Sequence, residues 1–407
     1  MIVQPIVAGI VAALTGFASS FAIVIAGLLG VGATPAEAAS GLLALCVLQG
    51  LLAIVLSWTS RLPLAFAWST PGAALLVAAQ GSTSSFGAAV GAFLVCGILV
   101  ILTGLWPALG RAMTSIPAPV SGAMLAGILF PLCIAPVTAT IEAPLFAIPI
   151  VLVWLILQRL APRWAVPAAI VIAIVGVAVM SGGSPLGSSN WAPGLHFVLP
   201  VLDPLTIVSL GIPLYIVTMV GQNVPGFAVL GTLGYTNLPT RSMLVGSGIA
   251  TTLAAPFGGH SVNLAALSAA ITGGPDAHPD PGRRWIATLS GGVSYLALGL
   301  VAGAAGAFID HASPVLIVAV AGLALIGAFT TGVVSAFADP EHRLAAAVTF
   351  VVVASGIAVA GIGSAFWGLL AGLGVYLLFR ARKKDGNPRT AEDGSTADEE
   401  EPREHRR

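Results

Sequence analysis

Charge is what this sequence has least of. Asp, Glu, Lys and Arg together make up 8% of its 407 residues, where a soluble domain carries about 25%. That shortage excludes a soluble enzyme or a nucleic-acid-binding surface. Cysteine is nearly missing as well. Cys46, Cys96 and Cys133 stand apart within apolar runs, which excludes a zinc or disulfide framework and leaves them as small packing residues. No H-E-x-x-H, paired aspartate cluster or G-x-S-x-G occurs, so nothing supplies the nucleophile, metal or cofactor of a membrane-embedded enzyme. No charged segment precedes the first apolar stretch and no small-residue cleavage site follows it. Met1–Val31 is therefore expected to be a retained span rather than a removed signal. What fills the chain is apolar: 57% hydrophobic residues and a mean hydropathy of +1.00 describe a polytopic helical membrane protein.

The few charges are sorted by side. All 16 Lys and Arg (Arg61, Arg111, Arg159, Arg163, Arg241, Arg283, Arg284, Arg343 and those from Arg380 to Arg407) fall on one side when an even number of spans joins the termini. The opposite loops carry Glu37, Glu142, Asp203 and Asp310 and no basic residue. The positive-inside rule makes the basic side cytoplasmic. Both termini are then inside, and the Gly-, Ser- and Pro-rich stretch Ser181–Pro200 is outside. Glu37 and Asp203 open spans, where acids favour helix N-termini. Residues 381–407 are charged and aperiodic, which reads as a disordered cytoplasmic tail.

Apolar runs place spans at about 5–31, 36–57, 86–106, 117–137, 143–158 and 165–181, then about 203–234, 241–254, 285–309, 314–336, 344–361 and 363–379. Two further segments are apolar but interrupted. One holds Trp68-Ser69-Thr70-Pro71-Gly72, and the other holds Pro256, Gly258 and Gly259 within Ala254–Ala270. Proline lacks a donor and glycine costs backbone entropy, so neither segment continues as one helix. Broken backbone at membrane depth must line a protein-enclosed cavity. Leu62–Ser69 reads as extended and Thr70–Gln80 as a half-helix with Pro71 in its first turn. In the second segment a half-helix is expected from near His260, with Ala254–Gly258 not helical and His260 and Asn263 on one helix face. The free N–H groups and positive dipole ends of both half-helices would point into the cavity, with Thr70 and His260 close together.

Together these make about 14 transmembrane segments in an all-α fold. Gly27-Leu28-Leu29-Gly30 with Pro35 recurs as Gly231-Thr232-Leu233-Gly234 with Pro239, which divides the chain into halves 1–190 and 191–380. Seven segments per half is odd, so the halves would be inverted repeats, and paired interruptions in such halves point to a transporter's binding site. Span nine, at about 14 residues, covers only about 21 Å, against roughly 30 Å of hydrocarbon. It tilts, or it pairs with segment ten as a re-entrant unit; the charge pattern is compatible with either.

SGAMLAGILFPLCIAPV, then GFAVLGTLGYTNLPTRSMLVGSGIATTLAAPFGGHSVNLAALSAAITGG and AFADPEHRLAAAVTF resemble the benzoate/proton symporters of the BenE type. The likeness covers nearly the whole chain except the tail, and GGHSVNLAALSAAI is its most specific part. The resemblance implies a fold similar to uracil permease and the sulfate/anion transporters. Those have seven-plus-seven inverted repeats and core and gate domains built from both, with substrate between two strand-plus-half-helix segments. It implies a multi-pass protein of the bacterial inner membrane and is compatible with a homodimer. The nucleobase permeases are expected to carry carboxylates on segments eight and ten, where this chain has Gln222/Asn223 and His260/Asn263. That departure favours an anion, which a buried carboxylate would repel.

The candidate substrate-binding residues are Ser69, Thr70, Gly72 and Ala73 at the first break, Gln222 and Asn223 on span eight, and Gly259, His260 and Asn263 at the second break. Phe17, Phe21 and Phe227 are candidates to sandwich an aromatic ring. Each also has a bland reading. Ser69 and Thr70 serve equally as helix caps, and Gln222 and Asn223 as partners for backbone freed by Pro225. Asn263 serves equally as a local cap, and the phenylalanines as packing. His260, the one ionisable residue near the midplane, is the candidate proton carrier. The function expected is import of a benzoate-like carboxylate with a proton across the inner membrane. An exchanger or channel for sulfate or bicarbonate is the alternative.

Overall fold

Prolines and left-handed glycines mark where helices stop in the computed structural model, which describes residues 3–81, 83–180, 194–302 and 314–385. Most of Ser181–Pro200, Asp310 and nearly all of the charged tail lie outside the described residues. Helix α1 (Val3–Gly30) ends before Gly32, whose φ is +98°. Thr34 then caps α2 (Pro35–Ser60), with Glu37 returning a bond to the Thr34 N–H at 2.7 Å. The first half continues as strand β1 (Phe66–Trp68), α3 (Thr70–Ala78), α4 (Phe86–Leu105), α5 (Pro107–Thr114), α6 (Ala118–Glu142), α7 (Pro144–Leu160) and α8 (Pro162–Met180). The second half runs through α9 (Pro204–Thr232), α10 (Thr240–Ala254), β2 (Val262–Leu264), α11 (Ala266–Gly273), α12 (Trp285–Gly299), α13 (Pro314–Phe337), α14 (Arg343–Ala354) and α15 (Ser364–Asp385). Asp203 caps α9, and the bonds its carboxylate accepts from Thr206 hold its pKa below the ordinary value.

Among the described residues, twelve helices and two strand-plus-half-helix units make fourteen segments, with short α5 set apart. Six of these helices are long and apolar enough to cross a membrane. Cross-bonds identify the two ends of the bundle. At one end Thr83 bonds Val31, Val201 bonds Gly87 and Val198 bonds Pro256. At the other, Gln4 bonds Asp276, Tyr235 bonds Gly273 and Ser57 bonds Leu64. The described arginines of the loops all sit at this second end. Segment ten descends from Gly258 to Gly273 and segment three climbs from Arg61 to Gly81, so both traverse the bundle and neither re-enters. Segment nine also traverses, because α10 is extended by a 3-10 turn at Ala255–Phe257.

That turn corrects one expectation: Ala254–Phe257 is helical, the end of α10 tightening into a 3-10 turn around Pro256. Gly258, at φ +89°, then reverses the chain in a conformation that favours glycine. A second correction follows. The half-helix begins at Ala266, not near His260, and the ladder of β2 occupies residues 261–265. His260 and Asn263 therefore share no helix face. Span thirteen is also shorter than expected. It stops at Ala354 because Gly356, Ala360 and Gly361 take positive φ in the turn before α15.

Helices α1 to α4 and α9 to α12 pack around the strand pair, while α6, α7, α8, α13, α14 and α15 pack mainly on one another. Between the two groups lies a cavity of about 570 Å³, lined by Leu75, Gln80, Pro131, Ser209, Ser355 and Ser364 among others. It opens toward the arginine-poor end and carries no charged residue.

Arg284 holds the far end of the second half-helix. It is buried and donates to the carbonyls of His278, Gly273 and Pro279 at 2.7, 2.9 and 3.3 Å, a cation at the negative end of α11. Arg284→Met strands those acceptors and is expected to lower stability by about 2–4 kcal/mol, measured as a fall in melting temperature in detergent. Arg284→Lys should not restore it, because a single ammonium lacks the planar fork.

Candidate functional site

The two interruptions meet. Strands β1 and β2 pair antiparallel with Phe66 opposite Leu264, Ala67 opposite Asn263 and Trp68 opposite Val262. The ladder extends past the strands, with the Ser69 N–H bonding the Ser261 carbonyl at 3.0 Å and the Ala265 N–H bonding the Ala65 carbonyl at 2.9 Å. Each strand runs directly into its half-helix, so the N-termini of α3 and α11 flank opposite ends of this sheet. The surrounding segments 62–80, 204–232 and 254–273 contain no Asp, Glu, Lys or Arg.

The two helix starts differ. Ser69 is fully buried and its hydroxyl accepts from the Gly72 N–H at 3.1 Å, while the Ala73 N–H bonds the Ser69 carbonyl at 2.8 Å. Pro71 has no N–H, so α3 offers a ligand little beyond the Thr70 N–H and its dipole. Gly72 and Ala73 are buried in the helix start, and a Cβ at Gly72 would meet Leu214 at 2.7 Å. Ser69 thus occupies part of the N–H cluster at the start of α3 with its own side chain. The N-cap of α11 is Ala265, which has no capping oxygen. The N–H groups of Ala266, Leu267 and Ser268 are left without a side-chain cap, and α11 has the freer anion-binding end.

His260 is fully buried, and its Nε2 lies 3.0 Å from the Ser69 carbonyl. A carbonyl only accepts, so Nε2 carries the hydrogen and Nδ1 is the bare base; Nδ1 has no hydrogen-bond partner. The ring meets Phe93 edge-on at 6.4 Å. His260 thus touches the capping residue of α3 from the chain that leads into α11, and Gly259 before it packs against Leu45 and Ala254. Asn263 is also fully buried, with Nδ2 donating to the Leu264 carbonyl at 2.9 Å and Oδ1 unpaired.

Helix α9 runs along the free edge of β2. It contains two π-helical turns, Ile207–Gly211 and Met219–Asn223. Each precedes a proline, Pro213 or Pro225, whose missing N–H breaks the ordinary ladder. The second turn aims Asn223 at the sheet, where its Oδ1 accepts from the Leu264 N–H at 2.9 Å. Gln222, in the same turn, is partly buried. Thr251 completes the edge by accepting from the Val262 N–H at 2.9 Å, and Thr218 bonds the Ser261 hydroxyl at 3.1 Å.

The phenylalanines are not brought into one sandwich. Phe17 and Phe21 stack on each other at 5.3 Å, and Phe17 meets Trp68 edge-on at 5.9 Å. Phe227 makes no ring contact among the described residues. Apolar residues that were not among the candidates line a space on the other side of α9 instead. Met124, Leu125 and Leu369 face Ile216, Val217 and Val220 across about 10 Å³ of space beside Gly221, itself 3.8 Å from Pro71 if given a Cβ. Trp68 is the other residue missed, its indole N–H fixed to the Ser20 hydroxyl at 2.9 Å. Its position before the Ser-Thr-Pro-Gly break was the available signal.

Comparison with known proteins agrees with this architecture. Residues 1–378 match the profile of the family described as benzoate membrane transport protein. Inner membrane protein YdcO of Escherichia coli (strain K12) is 37% identical over 375 residues, covering 92% of this chain and 95% of that protein. Benzoate membrane transport protein of Acinetobacter baylyi (strain ATCC 33305 / BD413 / ADP1) is 30% identical over 325 residues, covering 80% and 82%. Among solved structures, the transmembrane domain of the cyanobacterial bicarbonate transporter BicA superposes with a TM-score of 0.59 at 18% identity, covering 91% of this chain and 97% of that one. SLC26A9 gives 0.61 at 15% identity, covering 93% and 66%. These two likenesses speak for the fold alone. The match over residues 1–378 and the identity to two relatives place the chain in the benzoate membrane transport protein family, a family of multi-pass membrane transporters and not of enzymes.

Proposed function

We propose that this chain imports benzoate or a related aromatic carboxylate together with a proton. The observation that carries the reading is a buried site with helix N-termini and one bare imidazole nitrogen but no fixed charge. Helix dipoles and uncapped N–H groups favour an anion without stranding a charge when the site is empty. The carboxylate sits at the start of α11 and beside the start of α3. Met124, Leu125, Leu369 and the α9 valines enclose the ring. The name of the Acinetobacter baylyi relative supports the substrate class.

Residues 1–190 and 191–380 act as inverted repeats, α1 to α4 with α9 to α12 form the core, and the other long helices form the gate. A benzene-sized pocket needs about 150 Å³, far more than the 10 Å³ beside Gly221, so core and gate separate to admit substrate. The arginines gathered at the other end support reading that end and both termini as cytoplasmic and the larger cavity as the outer vestibule, in a bacterial inner membrane. A homodimer is compatible with this arrangement.

The deciding measurement is radiolabelled benzoate uptake in proteoliposomes under imposed pH or sodium gradients. Accumulation driven by an inward proton gradient supports the reading. Accumulation driven by sodium alone removes the proton, and competition by sulfate or bicarbonate in place of benzoate removes the aromatic substrate. Orientation has its own test. With single cysteines, Ser84→Cys is expected to react with an impermeant reagent on intact cells and Arg283→Cys only after permeabilisation; the reverse pattern inverts the topology.

A further inference from the structure

Gln49 of α2 is fully buried, and neither its Nε2 nor its Oε1 has a hydrogen-bond partner. A carboxamide with both ends unsatisfied in an apolar interior is costly unless something bonds it. Its place in the fold follows from its neighbours along one stripe of α2. Gly41 lies against the Gly258 carbonyl, where a Cβ would approach to 2.6 Å, and Leu45 packs on Gly259. Ala53, one turn beyond Gln49, shares a small cavity with Ala65 and Phe66. Residues four apart on a helix face the same way, so Gln49 faces the sheet between Gly259 and Phe66, at the level of Trp68.

The ladder shows what it meets there. Bonds at Ala65–Ala265 and Ser69–Ser261 place Ala67 and Asn263 in the bonded pair between them, because bonded and non-bonded pairs alternate. The backbone groups of Phe66 and Trp68 therefore point away from β2, as those of Val262 and Leu264 point away from β1. The free edge of β2 is served by Thr251 and Asn223. Helix α2 lies along β1 as α10 lies along β2.

We propose that Gln49 is the polar partner of the free edge of β1, bridging to the Trp68 backbone through one buried water and so holding the start of α3 in place. A buried water makes about three bonds to otherwise unsatisfied groups, which a carboxamide and a strand edge together supply. Gln49 is a positioning residue, acting on substrate only through Ser69 and Thr70.

The test compares wild type with Gln49→Met, which keeps the length and removes the polar ends. Hydrogen exchange at residues 66–69 is expected to rise at least about tenfold, because the substitution leaves the strand-edge backbone without its polar partner. The benzoate concentration for half-maximal uptake is expected to rise about tenfold at unchanged maximal rate. Wild-type exchange together with wild-type half-saturation overturns the proposal. The uptake arm rests on the benzoate reading. If wild type takes up no benzoate, that reading fails, and exchange at residues 66–69 still decides the role of Gln49. Should Gln49→Met not fold, Gln49→Asn withdraws the carboxamide by one methylene. Faster exchange confined to residues 66–69 then supports the proposal and unchanged exchange overturns it.

Discussion

His260→Gln is expected to abolish proton-driven accumulation of benzoate while weakening binding by no more than about tenfold. The asymmetry comes from the two ring nitrogens. Nε2 donates to the Ser69 carbonyl, a bond that the Gln amide can imitate, so the link between the second broken segment and the cap of α3 survives. Nδ1 is the buried, unpartnered base, and Gln has nothing to titrate in its place. A carboxylate arriving nearby favours the imidazolium, so binding takes up a proton, and by linkage lower pH tightens binding. Anion and imidazolium then cross as a nearly neutral unit, which avoids moving an isolated charge through low dielectric. Uptake assays should show His260→Gln equilibrating substrate without concentrating it, and its binding should lose the pH dependence of wild type. Equal accumulation by both proteins would remove His260 as the proton carrier and leave the anion site standing.

Asn223→Asp is expected to cost about 30-fold in benzoate affinity at neutral pH, from a repulsion of about 2 kcal/mol between charges roughly 8 Å apart at an effective dielectric of 20. The substitution is nearly isosteric and keeps the oxygen that accepts from the Leu264 N–H at 2.9 Å, so the edge of β2 stays closed. It adds a negative charge on α9 beside the Leu264 N–H, and Leu264 lies two residues before the uncapped start of α11. Acidification protonates the new carboxyl and should restore part of the affinity. Asn223→Leu separates structure from charge. It leaves the Leu264 N–H unpaired, costing about 1–3 kcal/mol of stability, and brings no pH-dependent loss of affinity. Half-saturation measured at two pH values for both variants checks the pair. Unchanged affinity in Asn223→Asp would place the anion elsewhere.

The membrane class, the segregation of arginines to one end and the positions of both breaks were legible in the chain, because each follows from local chemistry. Eight per cent charge cannot clothe a soluble surface, Pro71 suits the first turn of a helix, and Gly258 suits the positive φ that ends one. Ser69 as the cap of α3 was equally readable, a serine just before a proline at the first turn. The second break was misjudged for a physical reason. Gly258-Gly259-His260-Ser261 suits a helix start or an extended run, and the choice is made by β1, which supplies the ladder partners from the other half of the chain. That pairing sends His260 to the Ser69 carbonyl and leaves Nδ1 bare. The aromatic candidates depended on packing in the same way: Phe17 and Phe21, a turn apart, stack on each other. The sequence alone therefore located the breaks and excluded fixed charge between them. Which side chain closes each strand edge, and which nitrogen is free to take a proton, came from contacts between residues far apart in the chain, which no local pattern encodes.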